Sequence, residues 1–246
     1  MRRVLAFAPA LALGLGILVS CASLAPNPAA RVSIVSDRDS GPGWKWTREY
    51  PRFPGLPDVD GRILSIVRGE TEKFLVESEG NRRAREATAA PGEVVPLSPP
   101  HELMIRWEAA KPSPEYVSLV LRVYSWTGGA HGDDRELCLN YDVGAGRFLR
   151  LADVLVGGGV DPLAEVARLA RDELIRRLGA HPDSMKWIAD GTEPLPANYS
   201  CFTFDQARVV LRFPKYQVAP GSAGILEVRI PRDLGAGAAR LNAIGP

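Results

Sequence analysis

Tyr124-Ser125-Trp126-Thr127-Gly128-Gly129-Ala130-His131-Gly132 reads as a strand running into a glycine-rich corner with a histidine at its apex. Working outward, Tyr116 to Trp126 predicts one long strand. Val117, Leu119, Leu121 and Val123 alternate with Tyr116, Ser118, Val120, Arg122 and Tyr124, giving an aliphatic face and a mixed, partly covered one. Beyond the corner, Arg135 to Val143 predicts a second strand, in which Leu137, Leu139 and Tyr141 alternate with Cys138, Asn140 and Asp142. Gly144-Ala145-Gly146 turns the chain into a short return strand from Arg147 to Leu151. Upstream, Leu103, Ile105 and Trp107 alternate with Met104, Arg106 and Glu108, as a half-buried strand requires. Near the end, Tyr199 to Asp205 meets Arg208 to Pro214 across a tight turn, and Gly224 to Pro231 closes the set.

Two segments change to a period of 3.6 residues. The first helix is expected to start near Asp58 or Asp60, either of which can cap it, and to bury Ile63, Ile66, Val67 and Phe74. It should run to about Asn81, with Arg82 to Glu86 as a frayed charged extension. The second is capped by Asp161, carries Pro162 in its first turn, buries Leu163, Val166, Leu169, Ala170, Leu174, Ile175 and Leu178, and stops at Gly179. One helix, a run of strands, a second helix and more strands, joined by short connections, predict an α+β fold. It is a mostly antiparallel sheet with two main helices packed on it.

The N-terminus reads as a targeting signal. Arg2 and Arg3 precede an apolar run from Leu5 to Val19 that is short for a membrane span. Leu18-Val19-Ser20-Cys21 has the form of a bacterial lipobox, which implies a diacylglycerol on Cys21 and a membrane anchor facing the periplasm or exterior. An ordinary secretory peptide cleaved near Ala22 to Ala25 is the alternative. The expected organisation is a lipoprotein signal peptide (1–20), a flexible tether (21–46) with room for a short strand at Arg31 to Ser36, a helix-containing subdomain (47–100) and an α+β domain (101–246).

Losing two arginines with the signal takes the formal charge from +1 to −1, which gives no general electrostatic case for nucleic acid. After Cys21 the cysteines are Cys138 and Cys201. Export favours a disulfide between them; two buried thiols are the plainer alternative.

Several blocks resemble one extracytoplasmic domain. They are Tyr124 to Gly132, then Asn140-Tyr141-Asp142, Gly146-Arg147-Phe148-Leu149 and Leu151-Ala152-Asp153-Val154-Leu155. Asn198-Tyr199, Val210 to Phe213, Tyr216-Gln217-Val218-Ala219-Pro220 and Val228-Arg229-Ile230-Pro231 resemble its C-terminal block, and Tyr50 to Leu56 resembles the module that precedes it. This domain is shared by the lysozyme-sensing anti-sigma factor RsiV and the non-catalytic part of the peptidoglycan deacetylase PdaC. Gln206-Ala207-Arg208 stands where the family has a glycine-containing turn. With neither a cytoplasmic segment before the signal nor a deacetylase domain, the expectation is a free-standing copy of the sensory or accessory domain.

Candidate chemistry centres on the corner. His131 with Asp133 and Asp134 could supply ligands or a base, but His101 and His181 are expected to sit alone in loops, and zinc wants three or four converging groups. The plainer reading has Gly128, Gly129 and Gly132 at positive φ, with His131 bonded to the backbone and locking the bend. Gly-x-Ser-x-Gly, Walker, His-Glu-x-x-His and dinucleotide motifs are absent from the sequence, and Gly157-Gly158-Gly159 before a helix reads as a connector rather than an anion site. Trp107 and Tyr199 suit a core, whereas Trp126 suits either a core or a ligand face.

The expected ligand-contacting set is therefore Tyr124, Trp126, His131, Asp133 and Asp134, with no cofactor or metal. Together with the resemblance this implies a lipid-anchored cell-envelope module without catalysis of its own, recognising lysozyme or peptidoglycan. A metal-dependent or His/Asp-based hydrolase acting on cell-wall material is the alternative.

Overall fold

The computed structural model describes residues 31–89, 99–111, 113–157 and 161–235. The expected signal peptide, Cys21, the first part of the expected tether, and Gly158 and Gly159 lie outside the described residues.

Six strands form the main sheet in chain order: β1 (Ser33–Gly41), β2 (Trp44–Arg52), β3 (His101–Ala109), β4 (Tyr116–Trp126), β5 (Asp133–Asp142) and β6 (Arg147–Phe148). All neighbours are antiparallel except β2 and β3, which run parallel because α1 (Pro57–Thr88) makes the crossover between them. Val59, Ile63, Val67 and Phe74 of α1 pack on Leu103, Ile105, Leu119, Leu121, Val123 and Leu139. The aliphatic face read along β4 is thus the face under α1.

A second, antiparallel sheet contains β7 (Phe202–Phe204), β8 (Arg208–Phe213) and β9 (Leu226–Pro231). With α2 (Leu151–Val154), α3 (Pro162–Leu178) and α4 (Pro182–Gly191) it encloses a separate core, in which Val166, Ala170, Leu174 and Ile188 meet Phe202, Leu211, Phe213, Val228 and Ile230. The fold is α+β, as the alternating periods predict, with α1 and α3 as its long helices. The Asp161 carboxylate accepts from the Leu163 and Ala164 amides and caps α3, and Gly179 at φ 81° ends it.

Four local expectations are corrected. Residues 33–46 are not tether: the short strand expected at Arg31 to Ser36 is the first half of β1, which runs on to Gly41 and is followed by its turn and the start of β2. β1 alternates between two largely exposed faces, so it carries no hydrophobic period, and pairing with β2 makes it a strand. Arg48 on β2 clamps Asp37 on β1 through two hydrogen bonds of 2.9 and 2.6 Å. A division near residue 100 does not separate two packing units, since β2 and β3 are neighbours and α1 shares its core with β3–β5. Helix α1 continues to Thr88, past the expected end at Asn81, where Glu79, Arg82, Arg83 and Glu86 form ion pairs at three- and four-residue spacing. Neither Asp58 nor Asp60 is its N-cap. That position is Leu56, and Asp60 instead accepts from Arg52 (2.6 Å twice) and the Phe53 amide (3.0 Å), fixing the chain's entry.

The two sheets are joined by polar groups rather than by a shared strand. The edge of β7 that faces away from β8 leaves a free amide and a free carbonyl, and the mixed face of the main sheet satisfies both. Ser118 Oγ accepts from the Phe204 amide (2.8 Å), Asn140 Nδ2 donates to the Phe202 carbonyl (2.9 Å), and Ser118 donates to Asn140 Oδ1 (2.7 Å). Cys138 on β5 is bonded to Cys201 just before β7, with Cα atoms 4.9 Å apart, so the disulfide is the arrangement found. The turn between β7 and β8, which lacks the family's glycine, is held by Asp205 Oδ1, which accepts from the Ala207 and Arg208 amides.

Candidate functional site

The corner is tied down from below and from within. Asn81 of α1 donates to the Thr127 carbonyl (2.5 Å), and the Trp126 indole donates to the Gly129 carbonyl (3.1 Å). Gly128 and Gly129 hold φ of 109° and 95°, as the corner demands of glycine. Gly132 departs from the expected positive φ and needs its missing side chain for another reason: a Cβ there would overlap the Tyr124 ring. His131 is exposed, and its Nδ1 donates to the Gly132 carbonyl at 3.3 Å.

His101 is no loop residue. It opens β3 with 0% exposure, is hydrogen-bonded through Nδ1 to Ser78 Oγ (2.7 Å) and meets the Trp126 ring edge-on at 5.7 Å. Burial, and then the nearby Arg85 cation, hold its imidazole below the ordinary pKa. Trp126 therefore braces the corner from inside. His181 stands exposed at the start of α4. Trp107 and Tyr199 pack against the two cores.

Tyr124, His131, Gly132, Asp133 and Asp134 line one side of a cleft of about 670 Å³. Trp126 is not in that lining. The opposite side comes from the segment between β8 and β9: Lys215, Tyr216, Gly221 and Ser222. Lys215 Nζ spans the cleft to Asp134 Oδ2 (2.8 Å), and that carboxylate holds the ammonium above its ordinary pKa. Asp133 pairs with Arg135 (3.2 Å), which reaches back to Glu70 of α1 (2.6 Å).

Tyr216 is the unusual member. It is the one non-glycine residue at positive φ (70°) among the described residues, and it is 62% exposed. A bulky residue in that region is strained, at a cost of about 1–2 kcal/mol. Its neighbour Gln217 holds the backbone there by donating through Nε2 to the Gly191 and Asn198 carbonyls (2.9 and 3.0 Å). Gly221 lies against the Tyr216 ring so closely that a Cβ would overlap it. The cleft is thus bounded by two tyrosines, each laid against a glycine, with two carboxylates, a lysine and a histidine between them.

Sequence reading reaches the corner half of this cleft because its residues are contiguous. The Lys215–Ser222 half is missed as a site: Lys215 and Asp134 are 81 positions apart. The sequence carries the Tyr216 block only as part of the resemblance to the C-terminal block of the family. Among the described residues no group of three His, Cys, Asp or Glu could hold a metal ion. His131, Asp133 and Asp134 share the cleft without forming such a cluster.

Residues 44–133 match the family model for deacetylase PdaC, and residues 152–233 match that for a protein of unknown function, DUF3298. The chain is 28% identical over 203 residues to peptidoglycan-N-acetylmuramic acid deacetylase PdaC of Bacillus subtilis (strain 168), covering 82% of this chain and 40% of that protein. It is 29% identical over 140 residues to immunogenic protein MPT64 of Mycobacterium tuberculosis, covering 56% of this chain and 59% of that protein. It therefore spans less than two thirds of either relative. Crystal structures of DUF3298 family members share the fold. One from Bacteroides fragilis superposes with a TM-score of 0.61 at 16% identity, and one from Pseudomonas aeruginosa PAO1 with 0.53 at 21%; each covers 82% of this chain and 90% of the other. The first matched segment ends in the corner and the second carries Lys215 to Ser222, so the cleft lies where the two meet. In sequence and in fold, this chain carries a PdaC/DUF3298-like domain.

Proposed function

We propose that this chain is a cell-wall-associated binding module of the envelope, anchored by lipid at Cys21, whose cleft between Tyr124 and Tyr216 holds a peptidoglycan saccharide. The observation that carries the reading is Tyr216, strained at φ 70° yet held out to solvent across from Tyr124. Strain maintained by fixed neighbours at an exposed aromatic points to use rather than packing. Two aromatic faces with carboxylates and an ammonium between them suit a sugar, whose apolar ring face stacks while its hydroxyls find donors and acceptors. Support also comes from the 28% identical relative, whose name assigns it a peptidoglycan sugar as substrate. The chain works by binding and has no catalytic activity of its own.

Calorimetric titration with chitotetraose and with purified muropeptides tests this. Tyr216→Ala is expected to weaken saccharide binding about tenfold or more, the loss of one stacked anchor. Absence of saccharide binding at millimolar concentration would overturn the reading. The family resemblance also implies a lysozyme-like protein, and the exposure of the Asp133 side chain (59%) favours that second reading, since it can meet a cationic surface. Binding of lysozyme that competing saccharide leaves unchanged would transfer the cleft to the protein. Cleavage products in the incubated saccharide, lost in His131→Ala, would point instead to the hydrolase. The anchor is tested separately: Cys21→Ala is expected to move the protein from the membrane to the soluble fraction, and continued membrane association would rule the anchor out.

A further inference from the structure

We propose a second subsite, one that takes a carboxylate, on the face of the main sheet turned away from α1, beside the part that the second sheet covers and continuous with the tyrosine cleft. The strand register builds it. Arg106 on β3 lies directly opposite Arg122 on β4, which lies opposite Glu136 on β5; in the next row Met104, Tyr124 and Asp134 stand side by side. All six point to the face away from α1, since they alternate with Leu103, Ile105, Leu121 and Val123 of the buried face.

Two like charges directly opposite one another on neighbouring strands are unfavourable. Arg122 is balanced by Glu108 (2.9 Å), Glu136 (2.9 Å) and Glu227 (3.5 Å). Arg106 has no carboxylate within ion-pair distance among the described residues. Glu49 lines a neighbouring hollow with it but does not pair with it. An exposed, unmatched guanidinium thus stands beside a second guanidinium at the rim of a hollow of about 370 Å³, whose lining includes Met104, Tyr124 and Ile225. Tyr124 and Asp134 line both this hollow and the cleft of the proposed function, so one ligand laid along Tyr124 occupies both.

A planar guanidinium donates two parallel hydrogen bonds to a carboxylate, and an anion between Arg106 and Arg122 relieves their opposition. The class of ligand is a saccharide carrying a carboxylate, with its ring over Tyr124 and Met104 and its anion against Arg106. The sugar part of this assignment rests on the proposed function; the anion part rests on the arginine register alone.

Two disaccharides separate these parts: N-acetylglucosaminyl-N-acetylmuramic acid and N,N′-diacetylchitobiose, which lacks the lactyl carboxylate. In calorimetric titrations of the intact protein, the acidic disaccharide is expected to bind roughly ten- to a hundredfold more tightly, as hydrogen bonds to a charged group allow. Arg106→Gln, at an exposed position, should remove that preference and leave chitobiose affinity and thermal unfolding unchanged. Equal affinity of the two sugars in the wild type, or a preference that survives Arg106→Gln, overturns the subsite. Equal binding that Tyr216→Ala weakens removes the subsite and keeps the cleft reading. Binding of the acidic sugar that depends on Arg106, with no binding of chitobiose, keeps the subsite and removes the cleft reading.

Discussion

Replacing both Cys138 and Cys201 by alanine is expected to lower the stability of the folded chain by about 4 kcal/mol. The bridge closes a loop between residues 63 positions apart, and the chain-entropy model assigns such a loop about 4 kcal/mol of restriction in the unfolded state. At this chain length that corresponds to roughly 8–16 °C in Tm. The bridge ties β5 of the main sheet to the start of β7, so the loss falls on the junction between the sheets. Both cysteines are half-buried, and alanine places a methyl group there without introducing a polar atom that needs a partner. Ser118 and Asn140 still hold the edge of β7, and the variant should therefore fold. The check is thermal unfolding with and without reductant: the wild type should lose stability on reduction and the double variant should not respond. A wild type indifferent to reductant would show that the bridge contributes nothing.

What sequence could tell about this molecule follows from how local each signal is. The face of β4, the Asp161 cap and the Gly179 stop of α3 are written in consecutive residues, and each is found where the pattern places it. β1 is the opposite case. Only its first residues fall in the short strand expected at Arg31 to Ser36; Ser33 to Gly41 are largely exposed on both faces, so they carry no period that would extend it, and pairing with β2 completes the strand. His101 reads as an isolated loop histidine because the partners that bury it, Ser78 and Trp126, are 23 and 25 positions away. The site divides in the same way. Tyr124, His131, Asp133 and Asp134 are close in sequence and share the cleft. Tyr216 and Lys215 join them only through the packing of the second sheet, and a positive φ at tyrosine leaves no mark in the sequence. The disulfide that export favours is the one found, although spacing alone does not place it, because pairing needs a Cα separation that no spacing of two residues reveals.

Arg212→Met is expected to cost about 3–5 kcal/mol at pH 7, the usual consequence of removing one partner from a buried charge pair. Arg212 on β8 is 5% exposed, with Nη1 donating to Thr203 Oγ1 (2.7 Å). Its Nε faces Glu136 Oε2 at 3.1 Å without hydrogen-bond alignment, and Nη2 lies 3.4 Å from Glu227. Methionine fills much of the same volume but leaves Glu136, whose side chain is 10% exposed, with Arg122 as its remaining partner at 2.9 Å. Burial already holds the Glu136 carboxyl above its ordinary pKa against the pull of both guanidiniums. A carboxyl raised in the folded state contributes stability that is fully present below its unfolded pKa, about 4.3, and is lost as pH rises through the folded value. Removing Arg212 lifts the folded value further and widens that window upward. The deficit of Arg212→Met should therefore shrink as pH falls from 7 towards 5, because Glu136 then takes up a proton in the folded state. Glu136→Gln placed in the Arg212→Met background should recover part of the loss, with a coupling of roughly 1–3 kcal/mol in the double-mutant cycle. Denaturant unfolding of the four proteins at pH 5 and 7 measures both effects. A deficit independent of pH, together with additive single losses, would mean that Arg212 acts through its packing and its bond to Thr203 rather than as the counter-charge of Glu136.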